Sequence, residues 1–538
     1  MRPPAVPLQS SYWPADDDSA LLQTTTGSVL VAAAARAPNA TALVEGTTDP
    51  ARRRWTYAEL LGDAQRVAGA LLSRFEPGDR IAVWAANCPE WVLLQFGLGL
   101  AGMVMVTVNP AYRAAELKYV LEQSRARGLF HQATYRGNSM SNVVAEVMPQ
   151  LPGCEHAVCF DTFATFLGGA EPQRQLPRVA PADPAMIQYT SGTTGFPKGA
   201  LLHHFGITNN ARMAAYRRGG ERGTVDLTAM PLFHAGGCVV SVLGTAQTAG
   251  TLVLMPEFDA HTFLDLVEQE RAQFSVAVPT MLIALLETMA AARRDVSSLE
   301  IVVSGGATVP VDLVNRFEQT MNVRLSIIFG QTETSPIINM TRPDDSPRDK
   351  SESLGQALPH TEIRIIDPES GATVPIGTPG ELCTRGYLVM DGYFDMPQAT
   401  AATIDREGWL HTGDLCSMDA RGFCYIEGRL KDMIIRGGEN IYPREIEERL
   451  FRHPAIADVA VVGIPDERWG EQVGAFIRLN EGCACSAATL HAYMREHLAP
   501  HKTPKLWVIV PEFPLTQSGK IQKFKLVEQY RNGEFRAL

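Results

Sequence analysis

One segment of the sequence combines the residue types that bind phosphate. Residues 189–199 read YTSGTTGFPKG and begin at the end of the apolar run AMIQY. Glycines let backbone N–H groups approach oxyanions closely, hydroxyls add further donors, and Lys198 adds a positive charge. The pattern does not match the GxxxxGK[ST] loop. It therefore predicts another kind of phosphate loop, with contacts from Thr190, Ser191, Gly192, Thr193, Thr194, Gly195 and Lys198.

The overall charge of the chain does not favour anionic partners. Its 538 residues include 48 basic and 59 acidic side chains, which gives a formal net charge of −11. An acidic surface repels nucleic acid and anionic membranes at long range. A phosphate must therefore be held by local groups, and we expect no nucleic-acid partner. The length corresponds to roughly three to four structural units.

The elements that position the phosphate loop follow from the hydrophobic pattern. Between about Thr56 and Ser275, β-branched runs such as RIAVWA and GTLVLM alternate with amphipathic stretches such as AHTFLDLVEQERA. This alternation predicts βαβ units around a largely parallel sheet. The later runs LEIVVSGGATVP and VRLSIIFGQTE each end in a small-residue turn, where ligands gather in open α/β sheets.

The most apolar stretch, residues 91–108, could be mistaken for a membrane span. It carries Gln95 and three glycines and ends at Asn109-Pro110. A buried helix followed by a buried strand fits this pattern better. We therefore expect no transmembrane segment.

The pattern of predicted secondary structure changes toward the C-terminus. Beyond about residue 350, short strands are broken by Gly and Pro, and after Arg429-Leu430-Lys431 a compact α+β pattern of roughly a hundred residues follows. The predicted fold class is α/β: a large N-terminal domain of sheet and helix layers with a small β subdomain, and a smaller mobile C-terminal α+β domain. The predicted bounds are 1–428 (β subdomain about 350–428), 429–431 for a hinge, and 432–538.

Cysteine usage and the N-terminus indicate the compartment. Nine cysteines contain no CxxC pair, which favours free thiols in a reducing environment over disulfides or a zinc cage. The N-terminal residues have prolines and three consecutive aspartates where a targeting peptide needs an apolar or arginine-rich stretch. We expect a cytoplasmic protein. The oligomeric state stays open, a homodimer included.

Further motifs follow one another along the chain in a recognisable order. They are WTYAEL (55–60), YTSGTTGFPKG (189–199), PLFHAGG (231–237), FGQTETSP (329–336), GELCTRG (380–386), GWLHTGDL (408–415), GRLKDMIIRGGENIYPREIE (428–447) and PLTQSGKIQKFKL (514–526). This series resembles the adenylate-forming superfamily of acyl-CoA synthetases, peptide-synthetase adenylation domains and firefly-type luciferases. The sequences of the motifs FGQTETSP and SGKIQKFKL are most similar to those of medium-chain fatty-acyl-CoA synthetases.

The resemblance implies a reaction in two halves. A carboxylate attacks the α-phosphate of MgATP to give acyl-AMP and pyrophosphate, and a thiol then attacks the acyl carbon and expels AMP. Both halves depend on positioning and charge neutralisation. The implied ligands are ATP, Mg²⁺, coenzyme A and a small carboxylic acid.

The resemblance also implies roles for individual residues of the ATP site. The loop from Thr190 to Gly195 and Lys198 would hold the phosphates, Thr332 would donate to the α-phosphate, and Glu333 would bind Mg²⁺. The residues implied for the rest of the nucleotide are Asp414 and Arg429 at the ribose, Gly306 and Ala307 against adenine, and Asn440 in the same pocket.

Four further features carry implied roles in the two half-reactions. Lys520 would neutralise the charge that develops during adenylation, although a lysine near a chain terminus is commonly only solvated. Lys431 would be the hinge about which the small domain rotates, and the loop Gly437-Gly438 would then face the second half-reaction. His234 would border the acyl carboxylate, although a histidine after an apolar run is also commonly a core residue.

The segments that should line the acyl pocket favour an apolar substrate. Relatives that activate amino acids place an aspartate near PLFHAGG, and none lies between Leu232 and Ser241. The expected walls, 236–240, 278–281, 304–305, 327–329 and 337–338, contain no charge, so an ionic group on the substrate would be unpaired there. An apolar acyl tail is expected, with aryl and branched acids as alternatives.

Three hypotheses about the activity stay open. The first is a carboxylate–CoA ligase, with a separate carrier protein as an alternative thiol donor because we expect no carrier domain in the chain. The second is a luciferase-like oxygenase that uses the same adenylate. The third, a non-catalytic binder, is disfavoured by the intact motif residues Lys198, Glu333, Asp414, Arg429 and Lys520.

Overall fold

The apolar periodicities of the sequence become alternating strands and helices in a computed structural model. It describes residues 7–16, 19–168, 175–190, 197–220, 223–306, 309–437, 439–515, 521–535 and 537–538, without the side chain of Asn440.

The strands lie in chain order as follows. The first ten are β1 (Tyr12–Trp13), β2 (Thr41–Glu45), β3 (Arg54–Thr56), β4 (Arg80–Trp84), β5 (Val104–Val108), β6 (Gly128–His131), β7 (Thr134–Tyr135), β8 (Asn138–Ser139), β9 (His156–Cys159) and β10 (Pro184–Thr190). Next come β11 (Lys198–His203), β12 (Val225–Thr228), β13 (Thr251–Leu254), β14 (Phe274–Ala277), β15 (Ile301–Gly305), β16 (Arg324–Gly330), β17 (Ile337–Met340), β18 (Gln356–Ala357) and β19 (Thr361–Ile366). The remainder are β20 (Gly380–Gly386), β21 (Gly392–Tyr393), β22 (Leu410–Met418), β23 (Cys424–Arg429), β24 (Ile434–Arg436), β25 (Glu439–Ile441), β26 (Ile456–Asp466), β27 (Gly470–Leu479) and β28 (Leu506–Ile509).

The α-helices are interspersed among these strands. The first eight are α1 (Thr26–Arg36), α2 (Tyr57–Leu72), α3 (Pro89–Ala101), α4 (Ala114–Gln123), α5 (Met140–Val147), α6 (Phe163–Gly168), α7 (His204–Arg217) and α8 (Gly244–Thr248). They are followed by α9 (Ala260–Glu270), α10 (Pro279–Ala291), α11 (Val311–Met321), α12 (Pro347–Glu352), α13 (Pro397–Thr403), α14 (Pro443–Phe451), α15 (Ala487–His497) and α16 (Lys523–Arg531). A π-helical stretch, Gly236–Leu243, leads into α8.

The described chain divides into two compact units. Unit 1 comprises residues 13–363 and 384–411, and unit 2 comprises residues 7–12, 364–383 and 412–538, within the described ranges. The predicted hinge at 429–431 includes most of the short 3₁₀ helix Leu430–Asp432 of unit 2. The predicted domain bounds stay a prediction.

Two sheets of unit 1 confirm the predicted α/β class. One has the strand order β21-β11-β10-β5-β4-β6-β9, and the other has the order β18-β17-β16-β15-β14-β12-β13-β2-β3. In the first, β10, β5, β4, β6 and β9 run parallel, whereas β11 and β21 add antiparallel pairings at one edge. Parallel strands are covered on both faces, which is why β5 (VMVTV) is buried along its whole length.

The second sheet joins strands that are far apart in the sequence. Its central strands from β16 to β2 are parallel, and β3 pairs antiparallel with β2. The early strand β2 lies beside β13, with Leu43 opposite Leu252. A third sheet has the strand order β1-β19-β20-β22-β23.

The apolar stretch at 91–108 forms the predicted buried helix and buried strand, α3 and β5. Gly97 of α3 faces α2 so closely that a Cβ there would lie 2.4 Å from Val67 Cγ1, so a larger residue would push the two helices apart. Helix α2 begins at a capping box between Thr56 and Glu59. Among the described residues, no helix is sufficiently long and apolar to cross a membrane.

Unit 2 contains its own sheet and core. Four strands lie in the order β25-β24-β27-β26. The strand β28 also pairs with β27, in the parallel direction. Strands β26 and β27 form a long antiparallel ladder, and helices α14 and α15 cover it with apolar residues such as Ile446 and Leu490. Unit 2 therefore has the α+β character predicted for the C-terminal part of the chain.

His204, the first residue of α7, is a neutral buried base that predicts an acid sensitivity. Its Nδ1 accepts a hydrogen bond from the backbone N–H of Thr26 at 3.2 Å, and burial lowers the pKa of His204 to about 4. The unfolded chain takes up this proton below about pH 6.5, whereas the folded chain does not until about pH 4. The contribution of His204 to the free energy of unfolding therefore falls as the pH is lowered through this window.

We expect the variant His204→Asn, whose amide oxygen can accept in place of Nδ1, to lose less stability between pH 7 and pH 5 than the wild type. Denaturant unfolding at both pH values, with the exposed His261→Asn as a control, measures the difference. Equal losses in the wild type and His204→Asn would show that His204 is protonated in the folded protein.

Candidate active site

The two ends of the predicted phosphate loop lie opposite each other in unit 1. Strand β10 ends at Thr190 and β11 begins at Lys198, and these two residues are partners in the antiparallel ladder. The residues expected to contact phosphate between them, Ser191, Gly192, Thr193, Thr194 and Gly195, lie outside the described residues. The ladder thus brings the first hydroxyl of the motif and its lysine together.

A tyrosine connects Lys198 with the predicted magnesium ligand. Lys198 Nζ lies 4.9 Å from the centroid of the Tyr393 ring, and the Tyr393 hydroxyl donates to Glu333 Oε1 at 2.7 Å. Both Glu333 and Tyr393 are buried. Burial, and then the charge of Glu333, raise the pKa of Tyr393 well above its ordinary value, so the hydroxyl keeps its proton and remains a donor. The structure therefore brings a cation, an aromatic ring and a carboxylate into one row.

Backbone hydrogen bonds hold this row in place. Strand β21 pairs with β11, with Tyr393 opposite Ala200, and the N–H of Met390 donates to the Glu333 carbonyl at 3.0 Å. Glu333 sits in a short 3₁₀ helix, Thr332–Thr334, directly after β16, and the Thr334 hydroxyl donates to the Gln331 carbonyl. The backbone contacts of the Glu333 turn and of β21 thus hold the carboxylate and the tyrosine in place. Tyr393 nevertheless lies far from both Lys198 and Glu333 along the chain.

Two further predicted residues lie where parallel strands end. Thr332 is half-buried at the start of the turn after β16, and Gly306 follows the neighbouring strand β15. Because Gly305 is paired with Ile328, the ends of these strands meet at one edge of the sheet. Gly306 has φ +79°, and a Cβ there would contact only Val278, at 4.0 Å. This edge leaves space for a flat group, while Ala307 lies outside the described residues.

His234 lies at an exposed position just before the π-helical stretch Gly236–Leu243. Its Nδ1 accepts from the Gly236 N–H at 3.4 Å, and its carbonyl accepts from the Gly237 N–H. π-Helical turns occur frequently at functional sites. The histidine is therefore a surface residue of unit 1 and not a core residue, and its role toward a carboxylate stays a prediction.

In unit 2, the predicted ribose residues form an ion pair. Asp414 on β22 lies opposite Arg429 on β23, and Arg429 Nε contacts Asp414 Oδ1 at 2.8 Å. Asp414 is buried, and its backbone N–H donates to the Thr412 hydroxyl. The guanidinium is partly exposed, so a carboxylate anchored in the sheet and a cation at the surface form one polar patch. Lys431 follows at an exposed position in the 3₁₀ helix Leu430–Asp432.

The predicted thiol-reaction loop follows β24 in unit 2. Gly437 has φ +61°, and a Cβ there would lie 2.7 Å from Trp469 Cε3, so both the backbone angle and the close indole require glycine. Arg436 and Arg468 each place a guanidinium over the Trp469 ring, at 4.8 Å and 5.0 Å from its centroid. Gly438 lies outside the described residues, as does the side chain of Asn440, whose backbone pairs with Ile435 in β25.

Lys520 also lies outside the described residues, but its neighbours are described. Leu515 and Ile521 form an antiparallel bridge, and the Gln522 N–H donates to the Pro514 carbonyl at 2.8 Å. These contacts bring the two ends of segment 516–520 together in unit 2.

The expected acyl walls enclose a charge that the sequence analysis missed. In unit 1, Val240, Ile328 and Ile337, all from the predicted walls, line a small cavity together with Arg218. Arg218 lies at the C-terminal end of α7, outside the predicted wall segments. The predicted wall residues are apolar, and Arg218 places a cation beside three of them. The expectation that an ionic substrate group would be unpaired in this region did not include this cation and stays a prediction.

Comparison with known proteins agrees with the order of the motifs. The family of AMP-binding enzymes matches residues 30–394, and the C-terminal domain of AMP-binding enzymes matches residues 445–520. A curated relative, the mitochondrial medium-chain acyl-CoA ligase ACSF2 of Homo sapiens, is 36% identical over 94% of this chain and 87% of its own length.

Solved structures with a similar fold include two enzymes with nucleotide ligands. ATP-bound MatB from Rhodopseudomonas palustris has a TM-score of 0.86 and 28% identity, and covers 95% of this chain and 99% of its own. The anthranilate CoA ligase AuaEII, in complex with anthranoyl-AMP, has a TM-score of 0.84 and 26% identity, and covers 95% of this chain and 98% of its own.

Proposed function

Because the chain belongs to the family of AMP-binding enzymes, we propose that it joins an acid with an apolar body to coenzyme A through an acyl-AMP intermediate. It is an acyl-CoA ligase. In the first half-reaction a carboxylate oxygen bonds to the α-phosphorus of ATP, and the bond to pyrophosphate breaks. In the second, the thiol sulfur bonds to the acyl carbon, AMP leaves, and the thiol proton passes to solvent.

The row Lys198–Tyr393–Glu333 is the observation that supports this proposal most strongly. Adenylation brings an anionic acid to an anionic triphosphate. It therefore needs a cation beside the phosphate oxygens and a carboxylate that binds a metal counter-ion. Lys198 supplies the first group and Glu333 supplies the second. Tyr393 holds both at a fixed separation through its ring and its hydroxyl.

Magnesium fits this arrangement. Glu333 is a buried carboxylate with one oxygen, Oε1, oriented by Tyr393, and carboxylate oxygens are the ligands that Mg²⁺ prefers. Glu333 would hold the ion, which would supply positive charge to offset the negative charge of the phosphates. We propose Thr190, Thr332 and Lys198 as phosphate contacts, Gly306 and Ala307 beside adenine, and Asp414 with Arg429 at the ribose.

The same proposal gives each of the remaining predicted residues a role in one half-reaction or in the change between them. Lys520 acts in adenylation, the loop Gly437-Gly438 acts in thioester formation, and Lys431 serves as the hinge between the two arrangements. The two arginines at Trp469 suit an anionic co-substrate, because they add positive charge beside Gly437. Coenzyme A is the proposed thiol donor, with a separate carrier protein as the alternative.

The proposed acid is a medium-chain fatty acid. The apolar residues Val240, Ile328 and Ile337 support it, as does the similarity to ACSF2, a medium-chain acyl-CoA ligase. An aryl or branched acid is the second candidate, since the relative AuaEII is an anthranilate CoA ligase. A luciferase-like oxygenase that uses the same adenylate is the third.

Acid-dependent ATP–pyrophosphate exchange across C4 to C16 and aryl acids tests the proposal, with CoA consumption measured in parallel. We expect exchange and CoA consumption with the same acids, and the steepest response among the medium-chain acids. Oxygen uptake or luminescence without CoA consumption would instead identify the oxygenase. Absence of exchange with every acid would contradict the proposed function.

Tyr393 is the site residue whose role the structure adds, and a conservative change tests it. Tyr393→Phe keeps the ring beside Lys198 but removes the hydrogen bond to Glu333. We expect acid-dependent exchange to fall about 3- to 10-fold, with a higher Mg²⁺ concentration needed for half-maximal rate. Kinetics at varied Mg²⁺ measure this, and Tyr216→Phe, at an exposed position on α7, is the control. An unchanged Mg²⁺ dependence would mean that Tyr393 only packs.

A further inference from the structure

Arg218 is a buried cation whose side-chain nitrogens have no hydrogen-bond partner among the described residues. It caps the C-terminus of α7, and only 5% of its side-chain surface is exposed. In the part of the chain that the structure describes, Nε, Nη1 and Nη2 have no hydrogen-bond partner. Buried polar groups are almost always hydrogen-bonded, and an unpaired charged donor is especially costly. A group with three unused donor nitrogens is therefore suited to a ligand.

The neighbouring Arg217 shows what a purely structural arginine looks like at this place. It is also buried, but its Nη1 donates to the carbonyl of Met340 at 3.0 Å and that of Gln356 at 3.3 Å, and its Nη2 donates to the carbonyl of Ala357. Arg217 thereby ties α7 to β17 and β18. Arg218 makes no such bonds to any residue within the described ranges.

Arg218 and Phe274 line the same small cavity as residues of the predicted acyl walls. One face of the guanidinium stacks on Phe274, with Cζ 3.4 Å from the ring centroid. The N–H groups lie in the guanidinium plane. Stacking through the face of the guanidinium therefore leaves these groups available to a hydrogen-bond acceptor. Val240, Ile328 and Ile337 also line this cavity.

Three residues that line this cavity are close in the sequence to residues of the proposed reaction site. Val240 lies in the π-helical stretch that follows His234, Ile328 lies in β16 just before Thr332, and Ile337 begins β17 just after the turn that holds Glu333. An acyl tail that passes from the reacting carboxylate along these apolar residues would reach Arg218.

The charge balance at the cavity allows a neutral as well as an anionic partner. Asp226 Oδ2 lies 3.8 Å from Arg218 Nη1, too far for a hydrogen bond, and it accepts one from the Thr245 hydroxyl at 2.7 Å. Asp226 therefore compensates the charge of Arg218 without using its donors. The ligand needs an oxygen that accepts hydrogen bonds, whether that oxygen is charged or not.

We propose that Arg218 binds an acceptor oxygen at the far end of the acyl tail, so that the preferred substrates are acids with an apolar body and an oxygenated end. This inference rests on the proposed function and refines its substrate class. Hydroxyl, carbonyl and carboxylate ends share the required chemistry. A site built to hydrogen-bond a substrate group discriminates strongly against analogues that lack it, because its own polar groups then stay unpaired.

Matched acids test the proposal on the full-length protein. Three acids of one chain length are compared: the plain acid, its ω-hydroxy derivative and its ω-carboxy derivative. Binding is measured by calorimetry, and kcat/KM by acid-dependent pyrophosphate exchange. We expect the wild type to prefer at least one oxygenated acid over the plain acid by about 10- to 100-fold in both measurements. The two oxygenated acids separate a neutral from an anionic tail end.

Two variants locate the preference. Arg218→Met removes the donors at similar volume, and Arg218→Met combined with Asp226→Asn avoids leaving a buried carboxylate without its counter-ion. Both should bind the plain acid about as tightly as the wild type but lose the preference for oxygenated acids. Arg66→Met, an exposed arginine on α2, is the matched control and should keep it.

Each outcome decides between the alternatives. No preference in the wild type, or a preference that persists in either folded variant, would overturn the proposal and leave Arg218 as a packing residue on Phe274. If neither variant folds, the binding preference of the wild type alone decides. Loss of exchange with all acids would contradict the proposed function, whereas the binding measurement would still report on Arg218.

Discussion

Replacing Lys520 with alanine is expected to lower acid-dependent pyrophosphate exchange by about 10²- to 10³-fold while thioester formation from supplied acyl-AMP continues. The reason is that negative charge concentrates between the α-phosphate and the attacking carboxylate only in the adenylation step. A positioned cation stabilises that charge, and its removal raises the barrier of this step alone. Exchange and single-turnover thioester assays measure the two halves separately.

Lys525→Ala is the matched control for this experiment. Lys525 lies at an exposed position of α16 in unit 2, a few residues beyond the Leu515–Ile521 bridge, so its loss removes the same charge from the same region. We expect both half-reactions of this variant to equal those of the wild type. Normal exchange in Lys520→Ala, or equal losses in both half-reactions, would contradict the role proposed for Lys520.

The second large effect is expected for Glu333→Gln. Glutamine keeps the volume and can still accept from the Tyr393 hydroxyl, but it removes the negative charge at a buried position. If Glu333 is the carboxylate that binds Mg²⁺, adenylation should fall by about 10²- to 10³-fold, with partial recovery at high Mg²⁺ concentration. The same change should leave the folded structure intact, because the neutral side chain costs less to bury.

Exchange rates over a wide range of Mg²⁺ concentrations, together with thermal unfolding, check this expectation. Glu352→Gln serves as the control, since Glu352 is an exposed carboxylate at the end of α12 that pairs with Arg348. A Glu333→Gln variant with wild-type rates at every Mg²⁺ concentration would refute the metal role. A variant that unfolds would show that the charge of Glu333 is needed for the fold instead.

Local patterns predicted the elements of this fold better than their arrangement. The apolar run at 91–108 predicted the buried helix α3 and the buried strand β5. These features depend on neighbours within a few positions. The pairing of β2 with β13, or the antiparallel addition of β21 to β11, depends on residues that approach each other only in the folded chain.

The same distinction explains which site residues were missed. Lys198 and Glu333 lie in motifs, whereas Tyr393 acquires its importance from contacts with both of them across the fold. Arg218 stands in the run Arg217-Arg218-Gly219-Gly220, whose composition is typical of an exposed basic turn. Tertiary packing buried both arginines, against the tendency of the sequence.

One signal in the sequence could have revealed the buried arginine. Asp226 lies within the apolar strand β12, and it is fully buried there. An aspartate inside a strand of a parallel sheet needs a counter-charge or several donors. Searching for that partner leads to the basic residues just before the strand, of which Arg218 is the one that faces Asp226.

The position of β2 has a consequence for the synthesis of the protein. Its neighbour in the sheet, β13, is translated about 200 residues later, which at ribosomal speed is a delay of roughly 10 to 40 s. During that time β2 and the strand β3 that pairs with it have no sheet to join. The helices α1 to α3 can bury apolar surface earlier, but the second sheet can close only once β13 has left the ribosome. Nascent chains that stop before this point would carry an apolar strand edge, the feature that chaperones bind and that drives aggregation.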